Sequence, residues 1–208
     1  MQNKQIDTFL RNYIQILTAT EHCLEKDLQM PSLILLYTLI DSIAWAASDK
    51  MENRSREQFE DWLNVWVYPH NKLPCTPTEL YAARCSILHT LTSIAKLHKK
   101  PGIRQIAYAW GPAKIADLTE SIQAIGTDAL VGVHLNELLS AIKDGMVRTF
   151  DAADQNPALY KRLSDASGLH YDQLPRNSLD RLIYNHRKKL NSPDIELESQ
   201  QDRKPEPT

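Results

Sequence analysis

Apolar positions recur every three or four residues through the first half of the chain, the period of a helix with one buried face. In residues 6–28 they fall at Ile6, Phe9, Leu10, Tyr13, Ile14, Leu17, Leu24 and Leu28. Pro31 and Ser32 open a second segment, 33–47, that is apolar on almost every side and so predicts a central helix. Ser55 with Gln58 three residues later is a capping-box pattern, followed by an apolar face of Phe59, Trp62, Leu63 and Trp66. Residues 71–77 hold two prolines and predict a loop. Thr76 or Thr78 then caps a fourth helix over 79–99, which Pro101-Gly102 stops. The first hundred residues predict an antiparallel four-helix bundle.

The pattern then changes. Residues 103–110 and 128–135 are short, apolar and bounded by turn residues, which predicts two strands. An amphipathic segment, 113–125, lies between them and predicts a helix. Strand, helix and strand predict one βαβ unit with two parallel strands. Further helices are expected over 136–150, 157–166 and 178–190, and a polar, proline-containing disordered tail over 191–208. The fold expected is mainly α, organised as a bundle (1–100), a βαβ unit with C-terminal helices packed on it (101–190), and the tail.

Charge narrows the function classes. Twenty-four basic against 26 acidic side chains give a net charge of −2, so any nucleic-acid contact has to be local. Cys23, Cys75 and Cys85 have neither disulfide-like nor metal-like spacing, which fits a reducing, cytoplasmic setting. The N-terminus lacks a basic segment followed by an apolar run, so no signal peptide is expected. The longest apolar run, 32–40, is shorter than a bilayer span and predicts a core helix, with no membrane association. His22, His70, His134 and His170 are scattered, and no Walker, G-x-S-x-G or zinc pattern occurs. No metal and no cofactor is expected.

The candidate chemistry lies on the fourth helix. At about 100° per residue, Arg84 falls within the stripe formed by Leu80, Ile87, Leu91 and Ile94, flanked by Ala83 and Leu88. A charge on an apolar face is costly unless paired. Asp41 is the only charged residue between Gln29 and Asp49, so it is the expected partner. The pair either locks two helices or holds Arg84 ready to grip a phosphate with its planar fork. His89 lies about 140° from Arg84 around the wheel and is of the side-chain type that moves protons in general acid–base chemistry. An anion clamp and a proton shuttle are the minimum needed for phosphodiester cleavage by an RNA 2′-hydroxyl. Tyr81 and Cys85 flank Arg84 and are candidate substrate contacts, Tyr81 by stacking a base or else by packing between helices. Lys96, with His98, Lys99, Lys100 and Arg104, forms a local basic cluster that either guides RNA or complements the helix end. A second basic stretch, Arg181, His186, Arg187, Lys188 and Lys189, reads as a solvated face.

Arg84-Cys85-Ser86-Ile87-Leu88-His89 resembles the R-x4-6-H motif of the HEPN superfamily, on the last long helix of a four-helix core. The resemblance covers residues 6–100. It implies a bundle that dimerises, with the motifs of two copies meeting in one cleft. It further implies a metal-independent endoribonuclease of phage-defence, toxin–antitoxin or RNA-processing systems, with Arg84 and His89 catalytic and Asp41 the acidic residue of the second helix. The cleft would take RNA or a nucleotide, and an antitoxin or other defence protein is an expected partner. Other members are catalytically silent binding or dimerisation modules. This chain has Cys85 where active members carry Asn, Asp or His, and Leu91 where some toxins carry Tyr.

Overall fold

The computed structural model describes residues 4–50, 55–169 and 184. Among them the chain is mainly helical. The order is α1 (Lys4–Glu25), α2 (Gln29–Ala47), α3 (Ser55–Trp62) running into a π-helical turn (Leu63–Val67), α4 (Pro77–Thr90), a 3-10 turn (Lys96–Lys99), β1 (Gln105–Ala109), α5 (Ile115–Ile125), β2 (Leu130–His134), α6 (Leu135–Gln155) and α7 (Pro157–Ser167).

Helix α2 is the hub, because its sequence is apolar on nearly every side and most of its surface is covered. It packs against α1, α3, α4, α6 and α7. Leu36, Tyr37, Leu39, Ile40 and Ile43 are completely enclosed. They meet Phe9 and Tyr13 of α1, Phe59 of α3, Leu80 of α4 and Leu138 of α6 in one continuous core. Each such side chain contributes roughly 1.5–3 kcal/mol. By length and composition α2 is also sufficient to cross a membrane, contrary to the expectation from residues 32–40 alone. More than half of its apolar window is buried inside the protein. The change of character near Lys100 is real at the level of secondary structure, yet α6 and α7 share the core of α1–α4.

Strands β1 and β2 are parallel and in register from Gln105↔Leu130 to Ala109↔His134, with α5 as the crossover. Gly145 lets α6 approach the π-helical turn: a β-carbon there would stand 2.6 Å from Val67 Cγ2. Trp62 Nε1 donates to Thr149 Oγ1 across the same contact at 3.1 Å.

Four local expectations change. Helix α1 ends at Glu25, because Asp27 turns left-handed at φ 56° and the Leu28 amide bonds the Cys23 carbonyl. Gln58 donates to the Lys50 carbonyl and Ser55 bonds the Tyr81 hydroxyl, so the two do not close a box on each other. The capping box forms instead at Thr76 and Glu79. Helix α4 stops at Thr90 rather than near Lys99: Leu91 is left-handed at φ 51°, and the Thr90 hydroxyl takes the Ser86 carbonyl. β-Branched and hydroxylated residues at Thr90, Thr92 and Ser93 compete with the helix for its backbone. Leu91 and Ile94, expected in the buried stripe, are 60% and 59% exposed. The helix expected over 178–190 and the tail over 191–208 lie outside the described residues, Tyr184 aside.

Candidate functional site

The N-terminal end of α4 is held firmly. Pro77 sits at its first turn, the Thr76 side chain accepts from the Glu79 amide, and Glu79 accepts from the Thr76 amide at 2.7 Å. Glu79 also takes the Arg104 amide, Nε and Nη2 at 2.6–3.2 Å. Burial would raise its carboxyl, but Arg104 and the amide donors outweigh that and hold it below its ordinary value. Arg104, grouped with Lys96 in the sequence as part of a basic patch, is therefore neutralised by Glu79. Nearby, the hydroxyls of Tyr37 and Tyr108 bond each other, and the Tyr68 hydroxyl donates to the Cys75 carbonyl at 2.6 Å. Burial pushes the Cys75 thiol up to about 11.

Near its other end α4 carries the cluster expected from the motif. Arg84 Nε donates to Asp41 Oδ2 at 2.7 Å, and Nη2 lies 2.6 Å from the same oxygen. The two side chains are 16% and 23% exposed. Arg84 Nη1 reaches His89 Nε2 at 3.2 Å. A guanidinium only donates, so Nε2 is the acceptor and the imidazole proton is assigned to Nδ1. The wheel separation of about 140° is bridged within one chain, because the long arginine side chain reaches along the helix to the exposed His89. Burial raises the Asp41 carboxyl and the guanidinium lowers it; burial prevails, leaving the carboxyl above its ordinary value. For Arg84, burial acts against the charge and Asp41 more than compensates, so it stays cationic.

The remaining candidates separate. Tyr81 is 9% exposed, with its ring edge-on to Phe59 at 5.4 Å and its hydroxyl bonded to Ser55. The Arg84 guanidinium stands over the same ring at 5.6 Å, so the buried Tyr81 packs between the helices and supports Arg84. Cys85 is half-buried, with Sγ 3.9 Å from Arg84 Nη1. Lys96 is exposed on the 3-10 turn, no longer on the helix that bears Arg84 and His89. Among the described residues no three His, Cys, Asp or Glu side chains converge as a metal site.

Sequence reading missed two features. The Thr76-x-x-Glu79 spacing signalled the box, but nothing local signalled that Arg104, 25 residues on, completes it. Trp45, 44% exposed, stands one turn beyond Asp41 on α2. Its i, i+4 relation to Asp41 was legible, but its exposure was not, because the surrounding sequence is so apolar.

No family model matches the chain, and no curated protein or solved structure is similar to it.

Proposed function

We propose that this chain is a HEPN-type, metal-independent endoribonuclease, an antiparallel helical bundle that acts as a homodimer in the cytoplasm. The observation that supports this reading is the Asp41–Arg84–His89 array. A cation is anchored on one edge by a carboxylate, and its other edge meets the acceptor nitrogen of an exposed histidine.

In this reading an RNA phosphate displaces His89 as the acceptor for Arg84 Nη1. That frees His89 Nε2 to take the proton of the adjacent 2′-hydroxyl. The 2′-oxygen bonds to phosphorus, the bond from phosphorus to the 5′-oxygen breaks, and the products are a 2′,3′-cyclic phosphate and a 5′-hydroxyl. Arg84 stabilises the charge growing on the non-bridging oxygens. The leaving oxygen takes its proton from the second histidine of the shared cleft, which enters the step as the imidazolium while the first enters as the neutral base. Asp41 positions Arg84 and does not touch substrate.

The same geometry favours a second reading, in which the array only clamps α2 to α4 in a catalytically silent interaction module. There, Arg84 is already satisfied and no substrate displaces His89.

The test is to express the wild type, Arg84→Ala and His89→Ala in bacteria and to incubate each purified protein with total RNA. The nuclease reading expects wild-type toxicity and cyclic-phosphate ends, with each substitution lowering cleavage roughly 100-fold or more. An inert wild type, or variants that cleave equally well, overturns it and leaves the clamp. Light scattering showing a monomer at micromolar concentration overturns the shared cleft.

A further inference from the structure

A cavity of about 510 Å³ opens where β1 and β2 begin and α5 ends, a size that suits a small molecule. Arg104 and Asp128 both line it, with Ile122 and Val131 as apolar wall, 8% and 7% exposed. The Gln105 amide donates to the Ala129 carbonyl at 2.8 Å, so the residues just before these two, Arg104 and Asp128, are held at the same end of the sheet. The Thr127 hydroxyl accepts from the Ala129 amide at 3.1 Å and fixes the turn that carries Asp128. Arg104 gives Nε and Nη2 to Glu79 and Pro74, which fastens the guanidinium and offsets its charge. A guanidinium has five N–H groups, and the pair on Nη1 has no partner among the described residues. The exposed Asp128 carboxylate has none either, and it does not pair with Arg104. It lies just past the end of α5, where Gly126 turns left-handed at φ 71° and the last helix carbonyls make the surroundings negative.

We infer that this cavity binds a small zwitterion, an α-amino acid with an apolar side chain. The ligand carboxylate takes the Nη1 donors of Arg104, a fork already held in place by Glu79. The ammonium meets Asp128 and the negative end of α5. The side chain covers Ile122 and Val131. An anion alone meets Asp128 as a like charge, and a cation alone leaves Nη1 unused. Only a ligand that carries both charges satisfies both walls. The cavity shares no residue with the Asp41–Arg84–His89 array, so the inference stands without the nuclease reading.

The experiment titrates the full chain by calorimetry with leucine, with isocaproate, which lacks the ammonium, and with isoamylamine, which lacks the carboxylate. The proteins are the wild type, Asp128→Asn and Arg104→Lys, with circular dichroism to verify folding. Arg104→Lys keeps a cation for Glu79 but has no second edge for a ligand. Leucine is expected to bind the wild type, with isocaproate and isoamylamine each weaker by about tenfold or more. Asp128→Asn weakens leucine by about tenfold without weakening isocaproate, and Arg104→Lys weakens leucine without weakening isoamylamine. Asp128 is exposed, so its variant tests the site even if Arg104→Lys unfolds. Leucine that does not bind at millimolar concentration, or that binds Asp128→Asn as tightly as the wild type, overturns the inference. Isocaproate that binds the wild type as tightly as leucine overturns it too, in favour of a simple anion site at Arg104.

Discussion

Helix α4 carries an ion pair towards each end, and the two are finished differently. At the N-terminal end Glu79 is 2% exposed, and its two oxygens accept from the Thr76 amide and from three donors of Arg104. Its charge is over-compensated, and its carboxyl lies below its ordinary value. Near the C-terminal end both contacts from Arg84 fall on one oxygen of Asp41, the pair is partly open to solvent, and the carboxyl lies above its ordinary value. A closed pair fastens two elements together. An open, under-compensated pair beside an exposed histidine retains capacity for a ligand, the condition in which perturbed groups mark candidate sites.

The sharpest way to break this contrast is to cut each pair and measure denaturant unfolding. Arg104→Ala strands a buried carboxylate and is expected to cost roughly 2–3 kcal/mol, somewhat below a fully enclosed pair because Arg104 is 37% exposed. Equal stability of Arg104→Ala and the wild type would show that the N-terminal pair is no fastener.

Acid separates the wild type from Glu79→Gln. A carboxyl held below its unfolded value of 4.5 stabilises the fold fully above that pH. The contribution is lost as pH falls through the lower folded value. The wild type should therefore melt higher than Glu79→Gln at pH 7, and the gap should close towards pH 3.

Asp41→Asn is expected to cost about 1 kcal/mol or less, because the folded environment already disfavours the charge that the substitution removes. A loss as large as that of Arg104→Ala would erase the distinction between the two ends. The smallest effect is expected at Leu91, which is exposed and left-handed. Leu91→Gly should raise stability by about 0.5–1 kcal/mol by relieving the left-handed strain where α4 stops.

Much of this organisation was legible in the residues themselves. The all-round apolarity of 33–47 identified the central helix, and the lone Asp41 within it identified the partner of Arg84. The βαβ order of 103–135 was readable because short strands and an amphipathic crossover have different periods. These are local or nearly local properties: periodicity, and the cost of burying a charge without an opposite one.

What tertiary structure alone decided depends on distance across the fold. Arg104 is a fastener rather than part of a basic patch because β1 brings it to Glu79. Tyr81 supports Arg84 because Phe59 and Ser55 enclose it. Arg84 and His89 meet because a long side chain crosses a gap that a wheel draws as empty. Periodicity reports which face of a helix is buried, but not which neighbour buries it or where a flexible guanidinium comes to rest.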